Sequence, residues 1–191
     1  KEGAGKLTLN NEIYDNNAAP TVHSHSNYSG TTTINGGTLT FDHDGAFNGD
    51  IPPVPNNITI NNGSRLEFDA TGTDNRISFF QDTVTFGAAG GGTIDFIAGN
   101  ILMQGGPGTN TYRTLGGAQN TITSSGGTAF FNPQGPNTVQ FDVADGTDPI
   151  ELVMELTIQN GNLQKTGAGT ASITKTTNNQ KGTVTNEAGN R

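Results

Sequence analysis

Thr33-Ile34-Asn35-Gly36-Gly37-Thr38-Leu39-Thr40-Phe41 places two short alternating segments on either side of an Asn-Gly-Gly turn. Apolar and polar residues alternate with period two, which sets one face of a strand against a core and leaves the other polar. Asn and Gly tolerate the positive φ that a tight turn demands. The phrase returns in Thr59-Ile60-Asn61-Asn62-Gly63-Ser64-Arg65-Leu66-Glu67-Phe68 and around Gly91-Gly92-Thr93-Ile94-Asp95-Phe96. Weaker copies stand at Thr121-Ile122-Thr123-Ser124-Ser125-Gly126-Gly127 and Thr157-Ile158-Gln159-Asn160-Gly161. Anchored on Gly37, Gly63, Gly92, Gly127 and Gly161, the copies are offset by 26, 29, 35 and 34 on subtraction of those positions. A period of this size, with uneven spacing, fits stacked supersecondary units whose loops differ in length.

The same alternation runs through Leu7/Leu9, Ile58/Ile60, Ile77/Phe79, Val84/Phe86, Ile101/Met103 and Val139/Phe141/Val143, and no segment carries the periodicity of an amphipathic helix. The expectation is an all-β chain forming a single parallel β-helix, or β-solenoid, across residues 1–191. Six to eight coils about 4.8 Å apart would make a rod on the order of 30–40 Å long. Strand, Asn-Gly, strand is also the form of a hairpin, so an antiparallel β-sandwich is the alternative. The solenoid is preferred because equivalent apolar positions recur, as stacking from coil to coil requires.

Composition narrows the function. Hydrophobic residues make up 30% of the chain, against about 45–50% for a soluble domain counted with its glycines, and the 28 glycines restore that range. Nine basic residues against 17 acidic ones give a net charge of −8, which offers no cationic face for nucleic acid. Without cysteine there is neither a disulfide nor a thiolate metal site. No apolar run approaches the roughly 20 residues that span a bilayer, so membrane insertion by this segment is not expected, and residues 1–3 lack the apolar core of a signal peptide. An export signal, if there is one, would lie outside this chain.

Two segments give a more specific likeness. The first is Lys1-Glu2-Gly3-Ala4-Gly5-Lys6-Leu7-Thr8-Leu9 followed, after residues 10–26, by Asn27-Tyr28-Ser29-Gly30-Thr31-Thr32-Thr33-Ile34-Asn35-Gly36-Gly37-Thr38-Leu39. The second is Lys165-Thr166-Gly167-Ala168-Gly169-Thr170-Ala171-Ser172-Ile173, then Gly182-Thr183-Val184-Thr185-Asn186-Glu187-Ala188-Gly189. Both resemble the passenger-associated repeat of bacterial autotransporters, in which Lys-x-Gly-x-Gly-x-Leu-x-Leu precedes an Asn/Tyr/Gly/Thr/Ile/Gly/Leu series. The first copy is one residue short between Asn and Tyr. Lys1 to Lys165 is an offset of 164 and Gly30 to Gly182 one of 152. The difference, 164 less 152, sizes a loop insertion in the first copy, within about residues 10–26. The resemblance implies a right-handed parallel β-helix, exported to the cell surface as a segment or repeat unit of a longer polypeptide. It makes Gly3, Gly5, Leu7, Leu9, Tyr28, Gly30, Ile34, Gly37, Leu39, Gly167 and Gly169 structural positions, with Leu7, Leu9, Ile34 and Leu39 pointing into the coil. It implies no catalytic residue and no cofactor.

Candidate sites are few. His23 and His25 would share a face if extended, the spacing at which two imidazoles hold one metal, but no third ligand accompanies them and solvated loop residues is the simpler reading. Asp42-His43-Asp44-Gly45 offers oxygens and a glycine as calcium loops do, yet Pro53 occupies the position of the closing Glu. The acidic run Asp142–Asp148 raises the same thought, and turn-forming Asp explains both. Thr-x-Thr pairs (Thr31/Thr33, Thr38/Thr40, Thr83/Thr85, Thr121/Thr123) suggest an ice- or carbohydrate-binding array, but they follow no constant register. An enzyme, such as a polysaccharide lyase or tailspike-like hydrolase, needs carboxylates fixed side by side. No motif does that here, and none assembles a Ser/His/Asp triad.

The sequence therefore points to a structural and adhesive segment at the bacterial surface or outside the cell, a stiff stalk with residues 10–26 and 104–120 as contact loops. Its partners would be flanking coils or identical subunits end to end, and surface glycans or proteins of host or neighbouring cells. An extracellular filament subunit is the second reading and a carbohydrate-active enzyme the third.

Overall fold

The computed structural model describes residues 1–10, 14–15, 22–23, 30–42, 57–69, 76–78, 83–98, 100–102, 109–126, 130–132, 138–158, 161–174 and 184–187. Among them there is no helix. With strands numbered in chain order, the first sheet contains β1 (Lys6–Asn10), β5 (Thr38–Asp42), β7 (Arg65–Asp69), β10 (Thr93–Ala98), β13 (Asn120–Thr123), β16 (Leu152–Glu155) and β19 (Ala171–Ile173), side by side in that order. The second contains β4 (Thr32–Ile34), β6 (Ile58–Ile60), β9 (Thr83–Phe86), β12 (Thr109–Thr114), β15 (Thr138–Val143), β18 (Asn162–Thr166) and β20 (Val184–Asn186). A third, four-stranded sheet is made of β8 (Arg76–Ser78), β11 (Asn100–Leu102), β14 (Phe130–Asn132) and β17 (Thr157–Ile158). From β7 to β19 the chain visits the first, third and second sheets in rotation, and every pairing within the three is parallel, the arrangement of a β-solenoid. Parallel pairing throughout sets aside the antiparallel sandwich. One small antiparallel pair, β2 (Tyr14–Asp15) with β3 (Val22–His23), stands apart from the three sheets, within the expected insertion.

Register turns each inward position into a column. Leu7, Leu39, Leu66, Ile94, Ile122, Met154 and Ile173 stack across the first sheet. Phe41, Phe68 and Phe96 stack beside them, all fully buried. Facing them from the second sheet are the columns Ile58–Val84–Tyr112–Phe141 and Ile34–Ile60–Phe86. The core is thus a long thin filling between sheets, which is why a chain with so few large apolar residues can supply it.

The columns also correct the repeat alignment. Ile34, Ile60, Phe86, Thr114 and Val143 are the true equivalents on the second sheet, with offsets of 26, 26, 28 and 29 on subtraction of those positions. Thr33-Ile34 and Thr59-Ile60 lie in the second sheet, whereas Thr121-Ile122 lies in the first and Thr157-Ile158 in the third. The two weaker copies begin in strands on other sides of the coil. Asn, Ser and Gly follow strands of all three sides, as in Asn35-Gly36, Ser125-Gly126 and Asn160-Gly161, so the phrase alone does not tell one side from another.

Two further expectations change. Leu7 and Leu9 do occupy the inward columns, but they remain 44% and 36% exposed because β1 is the edge strand of its sheet, whereas Ile34 and Leu39 are buried. Of the supposed contact loop 104–120, residues 109–114 form β12 in the middle of the second sheet. Asn110 and Thr114 face inward there, so the strand lacks the apolar alternation that marks its neighbours.

Candidate functional site

The corners between the second and first sheets carry the Lys-x-Gly-x-Gly motifs. Gly3 and Gly167 both take left-handed φ, +76° and +78°, which turns the carbonyls of each corner toward the preceding lysine. Lys1 Nζ donates to the carbonyls of Glu2 (2.9 Å), Gly3 (2.5 Å) and Gly36 (3.0 Å), and Lys165 Nζ donates to that of Gly167 (2.5 Å). The two motif copies therefore share one local conformation, a lysine folded back to cap its own turn. Gly169 is needed for a different reason, since a side chain there would strike the Ala144 backbone, and Gly37 would strike Ala4 and Gly5 in the same way. Gly5 and Gly30 have open space around them and nothing in the structure requires glycine at either. Lys165 stands in the inward column beneath Phe141. Burial lowers its pKa, against the opposing pull of Glu151 and Asp142.

On the outward side of the first sheet, Thr40, Glu67 and Asp95 lie in register on β5, β7 and β10, and all three are buried. Glu67 Oε2 accepts from Lys6 Nζ and Thr40 Oγ1, both at 2.8 Å, and Oε1 accepts from Arg65 Nε at 2.9 Å. Asp95 accepts from the Ser125 backbone N–H (2.9 Å), from Ser125 Oγ (2.7 Å) and from Arg65 Nη2. Sequence reading missed this carboxylate pair. The signal was present in Leu66-Glu67-Phe68 over Ile94-Asp95-Phe96, but only the register converts it into a contact.

Both carboxylates are held by donors from surrounding strands and turns. Burial pushes the Glu67 carboxyl up, and the hydrogen bonds of Lys6, Thr40 and Arg65 with the Lys6 charge outweigh it, so the pKa falls below the ordinary 4.5. A lowered carboxyl is a poor proton donor at neutral pH. Because folding lowers this pKa, Glu67 stabilises the fold above the ordinary glutamate value, and that contribution is lost as pH falls through the lowered one. The difference in thermal midpoint between the wild type and Glu67→Gln should accordingly be full at neutral pH and shrink below pH 4.5. A difference that does not change with pH would contradict this assignment.

The outward side of the second sheet is a polar ladder. Thr33, Thr59 and Thr85 occupy one column, followed by Arg113 and Asp142, which pair at 2.8 Å. Thr83, Thr111, Gln140, Gln164 and Thr185 form the next. Thr33 and Thr85 thus share a column with Thr59, but Thr38, Thr40, Thr121 and Thr123 belong to the first sheet, so the four pairs do not form one array.

No family model, curated protein or solved structure matches the chain.

Asp42 closes β5 in register with Asp69, His23 lies on β3, and His25, His43, Asp44 and Tyr28 fall outside the described residues. In the second acidic run, Asp142 is engaged by Arg113 and by Thr166 Oγ1 (3.2 Å), and Asp148 accepts from the Gln119 backbone N–H (2.6 Å). Glu151, buried behind that run, accepts from the backbone N–H groups of Gly146 (3.2 Å) and Thr170 (2.6 Å). Among the described residues no three His, Asp or Glu side chains converge on a common point.

Proposed function

We propose that this chain is a non-catalytic structural and adhesive segment of a bacterial surface or secreted protein. It would be a right-handed parallel β-helix of six to eight coils, resembling an autotransporter passenger, that acts as a stiff stalk. The observation that carries the reading is the unbroken inward column from Leu7 to Ile173, spanning every strand of the first sheet. Right-handedness follows the near-universal hand of parallel crossovers, and the two seven-stranded sheets support the coil number. The matching lysine-capped corners support the family likeness. A non-catalytic role is favoured because the buried carboxylates Glu67 and Asp95 are already occupied by donors.

Electron microscopy of the full-length protein, combined with protease shaving of intact cells, tests the proposal. Extended rods that are trimmed from the cell surface are expected. Compact particles, or full protection from external protease, would sink it.

A filament subunit is the second reading, favoured because Leu7 and Ile173 share one column at opposite edges of the first sheet, 44% and 40% exposed. Head-to-tail contact of this kind is heterologous and does not close. Concentration-dependent fibres that are lost in Leu7→Glu would favour it over the stalk.

A further inference from the structure

A groove of about 310 Å³ lies against the second sheet, lined by Thr109, Thr138, Asn162, Leu163, Gln164 and Thr185. Its volume is at the small end of the range for ligand clefts, about 300–1,000 Å³. The polar part of the lining is built from two adjacent columns, with the inward Leu163 between them. Thr109, Thr138 and Asn162 are in register across β12, β15 and β18, while Gln164 and Thr185 belong to the neighbouring column across β18 and β20. Positions two apart on a strand are about 6.6 Å apart and neighbouring strands about 4.8 Å apart, so the polar groups form a small two-dimensional grid.

The chemistry of the grid is uniform. Each hydroxyl and each amide can both donate and accept, and no lining residue is ionisable. Beyond the lining, Arg113 and Asp142 on this face pair with one another, and the exposed Glu187, two residues past Thr185, adds a negative charge and no cation. Inside the ladder a relay runs from Thr111 Oγ1 to Gln140 Oε1 at 3.3 Å and from Gln140 Nε2 to Gln164 Oε1 at 3.4 Å. These bonds are near the limit of useful length and correspondingly weak. They run in one direction, with the Gln164 carbonyl oxygen accepting. A donor and an acceptor side by side match vicinal hydroxyls, which themselves donate and accept, whereas a carboxylate or sulfate would be favoured by a cation that the lining lacks.

We infer that this groove binds a neutral glycan, the hydroxyls of one or two sugar rings meeting the Asn162 and Gln164 amides and the flanking threonines. The inference rests on the adhesive reading above and gives it a ligand class and a location.

The test is an NMR titration of the isotopically labelled chain with neutral gluco- and manno-oligosaccharides, and in parallel with hyaluronan and heparin fragments as the charged arms. A neutral series should shift the signals of Thr109, Thr138, Asn162, Gln164 and Thr185, with an affinity unchanged within about twofold as salt rises from about 0.1 M to 1 M. The double variant Asn162→Ala/Gln164→Ala should weaken binding about tenfold or more while its circular dichroism spectrum remains that of the folded wild type, and Thr33→Ala/Thr59→Ala should bind as the wild type does. Absence of shifts with every neutral series, preference for the charged fragments, or undiminished binding by the double variant would overturn the inference. Electron microscopy of the full-length protein separates the two proposals. Rods without sugar binding refute the ligand alone, and sugar binding by a compact particle refutes the stalk alone.

Discussion

Replacing Phe68 by alanine is expected to lower the unfolding free energy by about 3–5 kcal/mol. Phe68 is fully buried and sandwiched in its own column, with Phe41 at 5.7 Å and Phe96 at 5.4 Å between ring centroids, the planes within 16° and 19° of parallel. Truncation removes the transfer energy of the ring and two stacking contacts, each worth roughly 0.5–1.5 kcal/mol beyond area. Collapse is hindered because the backbone on both sides is held at strand spacing by the ladders to β5 and β10. Phe141 gives the internal comparison, since it stacks on Tyr112 at 5.7 Å but has Lys165 as its neighbour on the other side. Phe141→Ala should therefore cost less. Chemical denaturation followed by circular dichroism measures both. A loss below about 1 kcal/mol for Phe68→Ala, or the reverse order, would mean that the column does not hold the fold together.

Gly90→Ala is the second large effect, expected at about 2–5 kcal/mol. Gly90 has φ +67° and forms a parallel bridge with Ala118, and a side chain on it would enter the Ala118 backbone. Gly63 provides the control because it has the same φ of +67°, yet its nearest neighbour, the Gly91 carbonyl, is 3.7 Å from where a side chain would sit. Gly63→Ala should cost only the backbone strain, about 1–2 kcal/mol. The difference between the two variants isolates the close approach of adjacent corners. Equal losses would show that conformation alone fixes both glycines.

Strand content and stacked parallel coils were legible because the solenoid repeats its phrase often enough to be seen against variable loops. Phase was not. Thr121-Ile122 and Thr157-Ile158 read like Thr33-Ile34, although they sit on different sheets, because a short strand before a glycine carries no mark of which side it forms. β12 escaped for the opposite reason, since its inward Asn110 and Thr114 satisfy themselves by hydrogen bonding; Thr114 Oγ1 accepts from the Ala144 backbone N–H at 3.1 Å. The Glu67–Asp95 network was hidden behind register, being invisible until the pairing of β7 with β10 brings Ile94-Asp95-Phe96 over Leu66-Glu67-Phe68. The polar groove likewise gathers Thr109, Thr138, Asn162 and Gln164 from three coils, and no local pattern unites them. The lysine-capped corners were the reverse case, legible as paired motifs and then found with nearly the same φ at Gly3 and Gly167.

The parallel ladders have a mechanical consequence. Their hydrogen bonds run from coil to coil, along the direction in which the solenoid grows. A pull on the two ends along that direction loads the ladders one after another, as in opening a zipper, instead of shearing them all together. Tension would then free the molecule a coil at a time, each step letting out roughly 90 Å of extended chain. Such an element yields in steps under tension, each coil giving up its length separately from its neighbours.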